Sequence, residues 1–231
     1  MNGSLNSINN YFKIFFSELK NKSSEIIFAV PFVFLNYIKN FAIRGYDIEI
    51  FAQNCHQEEY GAFTGEVSAN MLLNIGINGS IIGHCERRQY GENYKIVNQK
   101  LKVLIKNDQN AIVCFGEDDK NKKYETISEQ VKTCLNDIEK IDNIIFAYEP
   151  VWAIGKENDL DLDYIDDSIQ KMRDVLSELK FENVNIIYGG SVNLKNYIQI
   201  LSNPNIDGIL VGRESLDPFR FAKICNFNVQ D

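Results

Sequence analysis

Residues 143–155 read NIIFAYEPVWAIG, a strand-like run that leads directly into a glutamate and an apolar loop. The first six residues are mostly Ile, Phe and Ala without polar alternation, which is typical of a strand covered on both faces. Glu149 follows this run, and Pro150 fixes the next backbone φ, so the carboxylate is expected at the rim of a sheet. The loop beyond it carries the only tryptophan, Trp152, and ends at Gly155.

The same order, a short apolar strand and then an amphipathic stretch, recurs along the chain. Strands are predicted at residues 25–30, 47–51, 79–83, 111–115, 143–148, 185–188 and 208–211. Helices are predicted at residues 5–20, 32–41, 67–74, 94–106, 121–140, 162–179, 194–202 and 217–225. This alternation predicts an α/β fold with a parallel sheet, and the lack of a Gly/Ser/Pro-rich linker predicts one domain over residues 1–231. Seven strands after an opening helix leave two architectures, an open doubly wound sheet or a (β/α)8 barrel without its first strand.

Composition excludes several classes of partner. The 231 residues carry a formal charge of −8 and a pI near 4.9, which argues against nucleic acid because such partners usually meet a basic face. No run approaches the ~18 consecutive apolar residues of a membrane span. The five cysteines are odd in number and include no C-x-x-C pair, so we expect reduced thiols in a cytoplasmic protein. Two histidines and dispersed cysteines give no zinc-ligand spacing, and no metal site is expected.

A second polar cluster, GHCERR at residues 83–88, also follows a predicted strand. The carboxyl ends of strands are where α/β folds place active sites. If a helical turn begins just after His84, its dipole disfavours the imidazolium and leaves a neutral ring that can donate to a carbonyl oxygen. The alternative is a structural histidine followed by an exposed charged turn.

Three loops extend the candidate site. The apolar loop after Glu149 is interpreted as a lid that closes over a ligand and excludes water, or else as a loop packed permanently on the core. Two glycine turns, YGGS at residues 188–191 and VGR at residues 211–213, each follow a strand. Such turns let backbone N–H groups approach an anion, although glycine turns after strands also occur for geometric reasons alone.

Taken together, the motifs GHCERR, AYEPVWAIG, YGGSV and DGILVGRESL resemble the triosephosphate isomerase family in order and spacing. AQN with GAFTGEVS, at residues 52–54 and 61–68, and CFGE at residues 114–117 fit the same pattern. The resemblance covers nearly the whole chain. It implies a (β/α)8 TIM barrel, usually dimeric, that interconverts dihydroxyacetone phosphate and D-glyceraldehyde 3-phosphate in glycolysis and gluconeogenesis. It implies neither a cofactor nor a metal.

The resemblance also implies catalytic roles. Glu149 matches the general base that moves a proton between two carbons through an enediolate, and His84 matches the neutral electrophile of that family's Glu/His pair. Glu86 resembles the acid that lies near an active-site lysine. Cys114 is expected in the core beside the base, and Cys85 stands where a serine is commoner.

The phosphate site and the lid are implied in the same way. Four residues match positions whose backbone N–H groups hold the substrate phosphate: Gly155, Ser191, Gly212 and Arg213. Most members carry a second glycine where Arg213 stands, and a backbone donor survives that change. The closing loop matches from Pro150 onward, but its end, KEN at residues 156–158, departs from the usual Thr-Gly-Lys hinge.

A homodimer is implied by the loop from Cys55 to Thr64, which resembles the segment that inserts into a neighbouring subunit. There Thr64 would support the partner's site. His56 lies in the same loop and is expected at the subunit interface rather than in catalysis.

One departure concerns the chemistry directly. The family's first strand ends in Asn, one further residue and Lys, followed by Met-Asn-Gly, and this chain begins at Met1-Asn2-Gly3. The strand missing from the pattern and the lysine that would stabilise the substrate oxyanion are therefore the same absence. We expect the native protein to continue upstream of Met1. The alternative is a catalytically silent, phosphate-binding homodimer of the same fold.

An N-terminal extension that adds a strand ending in Asn-x-Lys before Met1 should raise isomerase activity by on the order of 10²–10³-fold, because one preorganised oxyanion donor contributes about that factor in other enzymes. The measurement is kcat/KM with glyceraldehyde 3-phosphate for the 231-residue chain and for the extended chain. An extension ending in Asn-x-Met controls for strand pairing alone. Equal activity with and without the extension contradicts the prediction.

Overall fold

The structure, a computed structural model, describes residues 2–20, 25–41, 48–153, 155 and 161–227. Asp47, the first residue of the second predicted strand, lies outside these ranges, as do residues 156–158 of the predicted lid hinge. Within the described ranges, no helix has both the length and the apolar character that crossing a membrane requires.

One parallel sheet of seven strands organises the described chain, and its strands neighbour one another in chain order. They are β1 Ile26–Val30, β2 Ile48–Ala52, β3 Gly79–Ile82, β4 Asn110–Phe115, β5 Ile144–Tyr148, β6 Asn185–Tyr188 and β7 Gly208–Ile209. A doubly wound sheet reverses its strand order at a switch point, whereas a barrel keeps chain order. The doubly wound alternative is therefore wrong, and the barrel without its first strand is confirmed. In the described residues β1 and β7 are the two ends of the sheet and do not pair.

Helices alternate with these strands much as predicted. The described helices are α1 Leu5–Glu18, α2 Phe32–Phe41, α3 Ala69–Asn74, α4 Cys85–Gln89, α5 Tyr94–Lys106, α6 Lys123–Cys134, α7 Leu162–Glu178, α8 Tyr197–Leu201 and α9 Pro218–Cys225. Short 3-10 turns lie at Lys120–Lys122, Val151–Ala153 and Arg213–Leu216. The sequence predicted α4 only conditionally, as a helical turn after His84.

Three predicted elements are clearly shorter in the structure, among them the helix predicted at residues 194–202, which covers only Tyr197–Leu201. The helix predicted at residues 121–140 ends at Cys134, because the chain then turns and Asp137 takes a positive φ of 57° that no helix continues. The strand predicted at residues 208–211 ends at Ile209, since its partner β6 ends opposite at Tyr188.

Helices, rather than strands, bridge the gap between β1 and β7. The ring of Phe15 in α1 stacks on Phe221 in α9, with centroids 5.5 Å apart, and Phe28 of β1 meets the same Phe221 ring edge-on at 5.3 Å. The Tyr11 hydroxyl donates to the Ser215 carbonyl. We call these ring contacts of Phe15, Phe28 and Phe221 the aromatic seam. Behind it lies a cavity of about 2600 Å³ that opens to the inner face of the sheet.

The inner face of the sheet carries a small apolar cluster of its own. Its buried members are Phe51, Ile81, Ile112, Cys114 and Ala147. A much larger cluster fills the space between the outer face of the sheet and the helices. The strands are thus apolar on both faces, which explains their continuous Ile/Val/Phe runs.

Phe221→Ala should lower the free energy of unfolding by about 3–5 kcal/mol, because it removes a buried ring that joins α1, β1 and α9. Phe219→Ala makes the same change on the same helix where the ring is 56% exposed, and it should cost less than about 1 kcal/mol. Urea denaturation followed by circular dichroism measures both variants. Similar losses for the two variants would show that the aromatic seam does not hold the barrel closed.

Candidate active site

Every residue predicted for the site lines the same cavity, at the carboxyl ends of the strands. These residues are His84, Glu86, Glu149, Gly155, Ser191, Gly212 and Arg213. The structure therefore places the three predicted catalytic residues and the four predicted phosphate contacts along one cavity. Their chemical roles remain predictions of the sequence.

Glu149 is held at the end of β5 by backbone contacts to both neighbouring strands. Its N–H donates to the Phe115 carbonyl at 2.7 Å, at the end of β4. Gly116 follows directly, and a Cβ there would lie 1.8 Å from the Glu149 carbonyl oxygen, so only glycine fits. On the other side, a Cβ on Gly189 would lie 3.0 Å from Glu149 Cγ. Glu149 thus packs between two glycines, and its side chain is fully buried.

The carboxylate of Glu149 faces a small set of polar groups. The Cys85 N–H donates to Oε2 at 3.0 Å, His84 Nε2 lies 3.3 Å from Oε1, and Arg88 Nη2 lies 3.8 Å from Oε2. Cys114 is buried in the core beside Glu149, as predicted. Burial raises the pKa of Glu149 above its ordinary value, and His84, Arg88 and the Cys85 N–H oppose this rise. A raised pKa makes a carboxylate a better proton acceptor.

His84 is the N-cap residue of α4, so the helical turn expected after it is present. Its Nδ1 accepts the backbone N–H of Glu86 at 3.2 Å. An acceptor nitrogen carries no proton, so we assign the neutral tautomer with the proton on Nε2, which faces Glu149. The ring is part-exposed in the cavity beside the buried carboxylate, and its role in catalysis stays a prediction.

Metal binding fits this arrangement poorly. His84, Cys85 and Glu149 offer ligand atoms within 4.8 Å of one another, the one such group among the described residues. A metal needs a free imidazole lone pair. The Nδ1 lone pair of His84 is already used by a backbone N–H, and Nε2 then carries the ring proton.

A buried ion pair supports the strand end just before His84, and the sequence analysis missed it. Glu92 accepts the Gly83 N–H through Oε1 at 2.8 Å and pairs with Lys100 through Oε2. Lys100 also donates to Asn54 Oδ1 at 2.7 Å. Glu92 lies in the loop before α5 and Lys100 lies on that helix, and charged residues at either place normally predict solvent exposure, so sequence periodicity carries no signal for this pair.

Hydrogen bonds hold the described part of the predicted lid at both ends. Trp152 Nε1 donates to Glu117 Oε1 at 2.8 Å, and the hydroxyls of Tyr148 and Tyr164 donate to the same oxygen. Farther along, the Gly155 N–H donates to Ser191 Oγ at 2.9 Å. This contact links the lid to the turn after β6, so two predicted phosphate contacts touch each other.

The second glycine turn leads into the 3-10 turn at Arg213–Leu216, for which Gly212 is the cap. Gly212 and Arg213 are exposed to the cavity. In the hydrogen bonds found for the described residues, the N–H groups of Ser191 and Gly212 have no protein acceptor. They are therefore available to an anion that enters from the cavity.

The remaining predicted residues lie at the edges of the site. Glu86 is exposed and lines the cavity. In the loop from Cys55 to Thr64, the His56 ring lies 4.5 Å from the Phe63 ring, and Tyr60 is 86% exposed. The loop therefore presents aromatic surface to solvent.

Comparison with known proteins agrees with this geometry. The sequence model of the family described as "Triosephosphate isomerase" matches residues 1–228. The chain belongs to the triosephosphate isomerase family. It is 38% identical to the triosephosphate isomerase of Alkaliphilus oremlandii (strain OhILAs) over 222 residues, which cover 91% of this chain and 89% of that protein.

Other members of the family are similarly close. The triosephosphate isomerase of Malacoplasma penetrans (strain HF-2) is 38% identical over 233 residues, 95% of this chain and 92% of its own. That of Acetivibrio thermocellus is 39% identical over 216 residues, 89% of this chain and 86% of its own. Family membership thus rests on matches that span most of both chains.

Glu149→Gln should raise the melting temperature at pH 7. Burial raises the pKa of this carboxyl group in the folded state. The group therefore stabilises the fold at pH values below the ordinary glutamate pKa, and this stabilisation is lost as pH rises through the folded-state pKa. The advantage of the glutamine variant should therefore vanish below about pH 4. Thermal denaturation across this pH range tests it, with Glu86→Gln as the same change at an exposed site. A melting temperature at pH 7 no higher than that of the parent contradicts the prediction.

Proposed function

We propose that this protein is a triosephosphate isomerase that interconverts dihydroxyacetone phosphate and D-glyceraldehyde 3-phosphate by proton transfer through an enediolate. One observation carries the proposal. The buried carboxylate of Glu149 and the neutral ring of His84 lie 3.3 Å apart in one cavity that the predicted phosphate contacts also line. Family membership supports the same reaction.

In the proposed reaction, Glu149 is the base. Its carboxylate removes a proton from the substrate carbon next to the carbonyl group, and the electron pair of that C–H bond forms the C=C bond of the enediolate. The carbonyl oxygen takes up the negative charge, and the Nε2 proton of His84 stabilises it by a hydrogen bond. The His84 ring would then pass the hydroxyl proton of the first carbon to the former carbonyl oxygen, which becomes a hydroxyl group. Return of the proton from Glu149 to the neighbouring carbon forms the new C–H bond as the C=O bond forms at the first carbon, so the isomerisation needs no oxidant or reductant.

Burial of the Glu149 carboxylate and the backbone N–H donors supply the other conditions that the reaction needs. A carboxylate removed from water has a raised pKa, which suits proton abstraction from carbon. The N–H groups of Ser191, Gly212 and Arg213 would hold the phosphate group away from the reacting carbons, and the Gly155 N–H would join them after leaving Ser191 Oγ. The loop that carries Trp152 would exclude water and so protect the enediolate from loss of phosphate. Glu86, at the cavity wall, would orient a cation at the oxyanion.

We also propose that the protein works as a homodimer in the cytoplasm. The loop from Cys55 to Thr64 exposes Tyr60 and Phe63, and Met71 and Tyr90 are exposed large hydrophobic residues as well. Exposed aromatic side chains of this kind commonly mark a subunit contact. Reduced, mostly buried cysteines agree with a cytoplasmic location.

Glu149→Asp should lower kcat by about 10²-fold, because shortening the side chain moves the carboxylate away from the reacting carbon. Binding of glycerol 3-phosphate, which has the phosphate but no carbonyl group, should change less than about threefold. Steady-state kinetics and calorimetry in the extended chain measure the two effects, with Glu182→Asp as the same change at an exposed residue outside the cavity. Unchanged turnover would remove Glu149 from the role of base. An inactive parent that still binds glycerol 3-phosphate would favour the catalytically silent alternative.

A further inference from the structure

Arg88 joins the ends of two strands beneath the candidate active site. Its side chain is only 13% exposed. Nε donates to the Gly83 carbonyl at 3.0 Å, directly after β3, and Nη1 donates to the Gly116 carbonyl at 2.7 Å, directly after β4. The planar guanidinium therefore fixes the separation of these strand ends through two bonds of set direction.

The third guanidinium nitrogen points at the base. Arg88 Nη2 is buried without a hydrogen-bond partner and lies 3.8 Å from Glu149 Oε2. The aromatic ring of Tyr94 lies 5.9 Å from the guanidinium carbon. A buried charge is costly unless an opposite charge lies nearby, and the carboxylate of Glu149 is the acidic group beside this cation.

The groups that face Glu149 lie on two neighbouring elements, α4 with its cap residue and β4. His84 and Cys85 approach from the start of α4, Cys114 approaches from β4, and Arg88 lies between. His84 accepts a hydrogen bond at Nδ1 and is neutral there, and neither thiol carries a positive charge. Among these described groups, Arg88 supplies the full positive charge.

We infer that Arg88 is a positioning residue, whose guanidinium keeps the buried carboxylate of Glu149 ionised and in place between the ends of β3, β4 and β5. This role does not require the substrate to be a triose phosphate. Only its kinetic consequence rests on the function proposed above.

Removal of the Arg88 charge should shift the pKa of Glu149 in a direction that can be measured. An opposite charge at this distance commonly lowers the pKa of a carboxyl group by about 1–3 units. Without Arg88, the pKa of Glu149, already raised by burial, should rise further by about one unit or more. The acid limb of kcat/KM should then move to higher pH, with about a tenfold loss per unit at pH values below the pKa of Glu149.

The test uses three substitutions of Arg88 and one matched control. Arg88→Met and Arg88→Gln remove the charge, and Arg88→Lys keeps it. Gln130 holds the same Gly116 through two hydrogen bonds, from its Nε2 to the carbonyl at 3.0 Å and from the Gly116 N–H to its Oε1 at 2.9 Å. Gln130→Met therefore disturbs the same strand end without changing any charge.

The primary measurement is the pKa of Glu149 by carbon-13 NMR of glutamate-labelled protein, with the signal assigned by its loss in Glu149→Gln. We expect a rise of about one unit or more in the two neutral variants, a smaller rise in Arg88→Lys and none in Gln130→Met. Arg88→Gln keeps an N–H for a strand carbonyl, and it carries the test if Arg88→Met does not fold.

A pKa that rises by less than half a unit in the neutral variants overturns the inference and leaves Arg88 a purely structural link. An equal rise in Gln130→Met overturns it as well, because the effect would then come from the strand end. The kinetic measurement is separate. A parent protein without isomerase activity counts against the proposed function, whereas the NMR titration still decides the role of Arg88.

Discussion

The candidate site depends on one carboxylate that is out of contact with water. Burial alone would neutralise Glu149, since a charged group in an apolar interior is strongly disfavoured. A backbone N–H, a neutral imidazole and a buried guanidinium oppose that tendency at distances of 3.0, 3.3 and 3.8 Å. The net effect of these groups and of burial is a raised pKa, which makes Glu149 a stronger base than a surface glutamate. The chemistry proposed for this cavity follows from that balance, and so does the need for rigid surroundings.

Parallel strands supply this rigidity. β3, β4 and β5 end at the same rim, so His84 and Glu149 meet although they are far apart in sequence. Gly116 permits the close backbone approach beside Glu149. Side chains from two helices, Arg88 and Gln130, then donate hydrogen bonds to the buried carbonyl group of that glycine. The site is therefore built on strand ends, where small displacements are resisted by the whole sheet.

Much of this arrangement could be predicted from the sequence, because each site residue directly follows an apolar run that only a buried strand explains. Glu149 after NIIFAY and His84 after GSIIG are of this kind. The roles of Arg88, Glu92 and Lys100 could not be predicted in the same way. Their charges are typical of solvent-exposed positions, and their burial depends on which strand end each side chain meets, which is a tertiary property. The closure of the barrel by aromatic rings of α1 and α9 is tertiary for the same reason.

The unpaired sheet ends have a consequence for how the chain behaves at high concentration. β1 reads IIFAV, without a charge or a proline, and one side of its backbone has no neighbouring strand in the described sheet. Natural proteins usually protect such an edge with lysine, proline or a bulge, since a bare apolar edge recruits strands from other molecules. Here the Phe15 ring of α1 packs on Phe28 of β1. Self-association through this strand would compete with the fold, and solubility would fall steeply as the protein is concentrated.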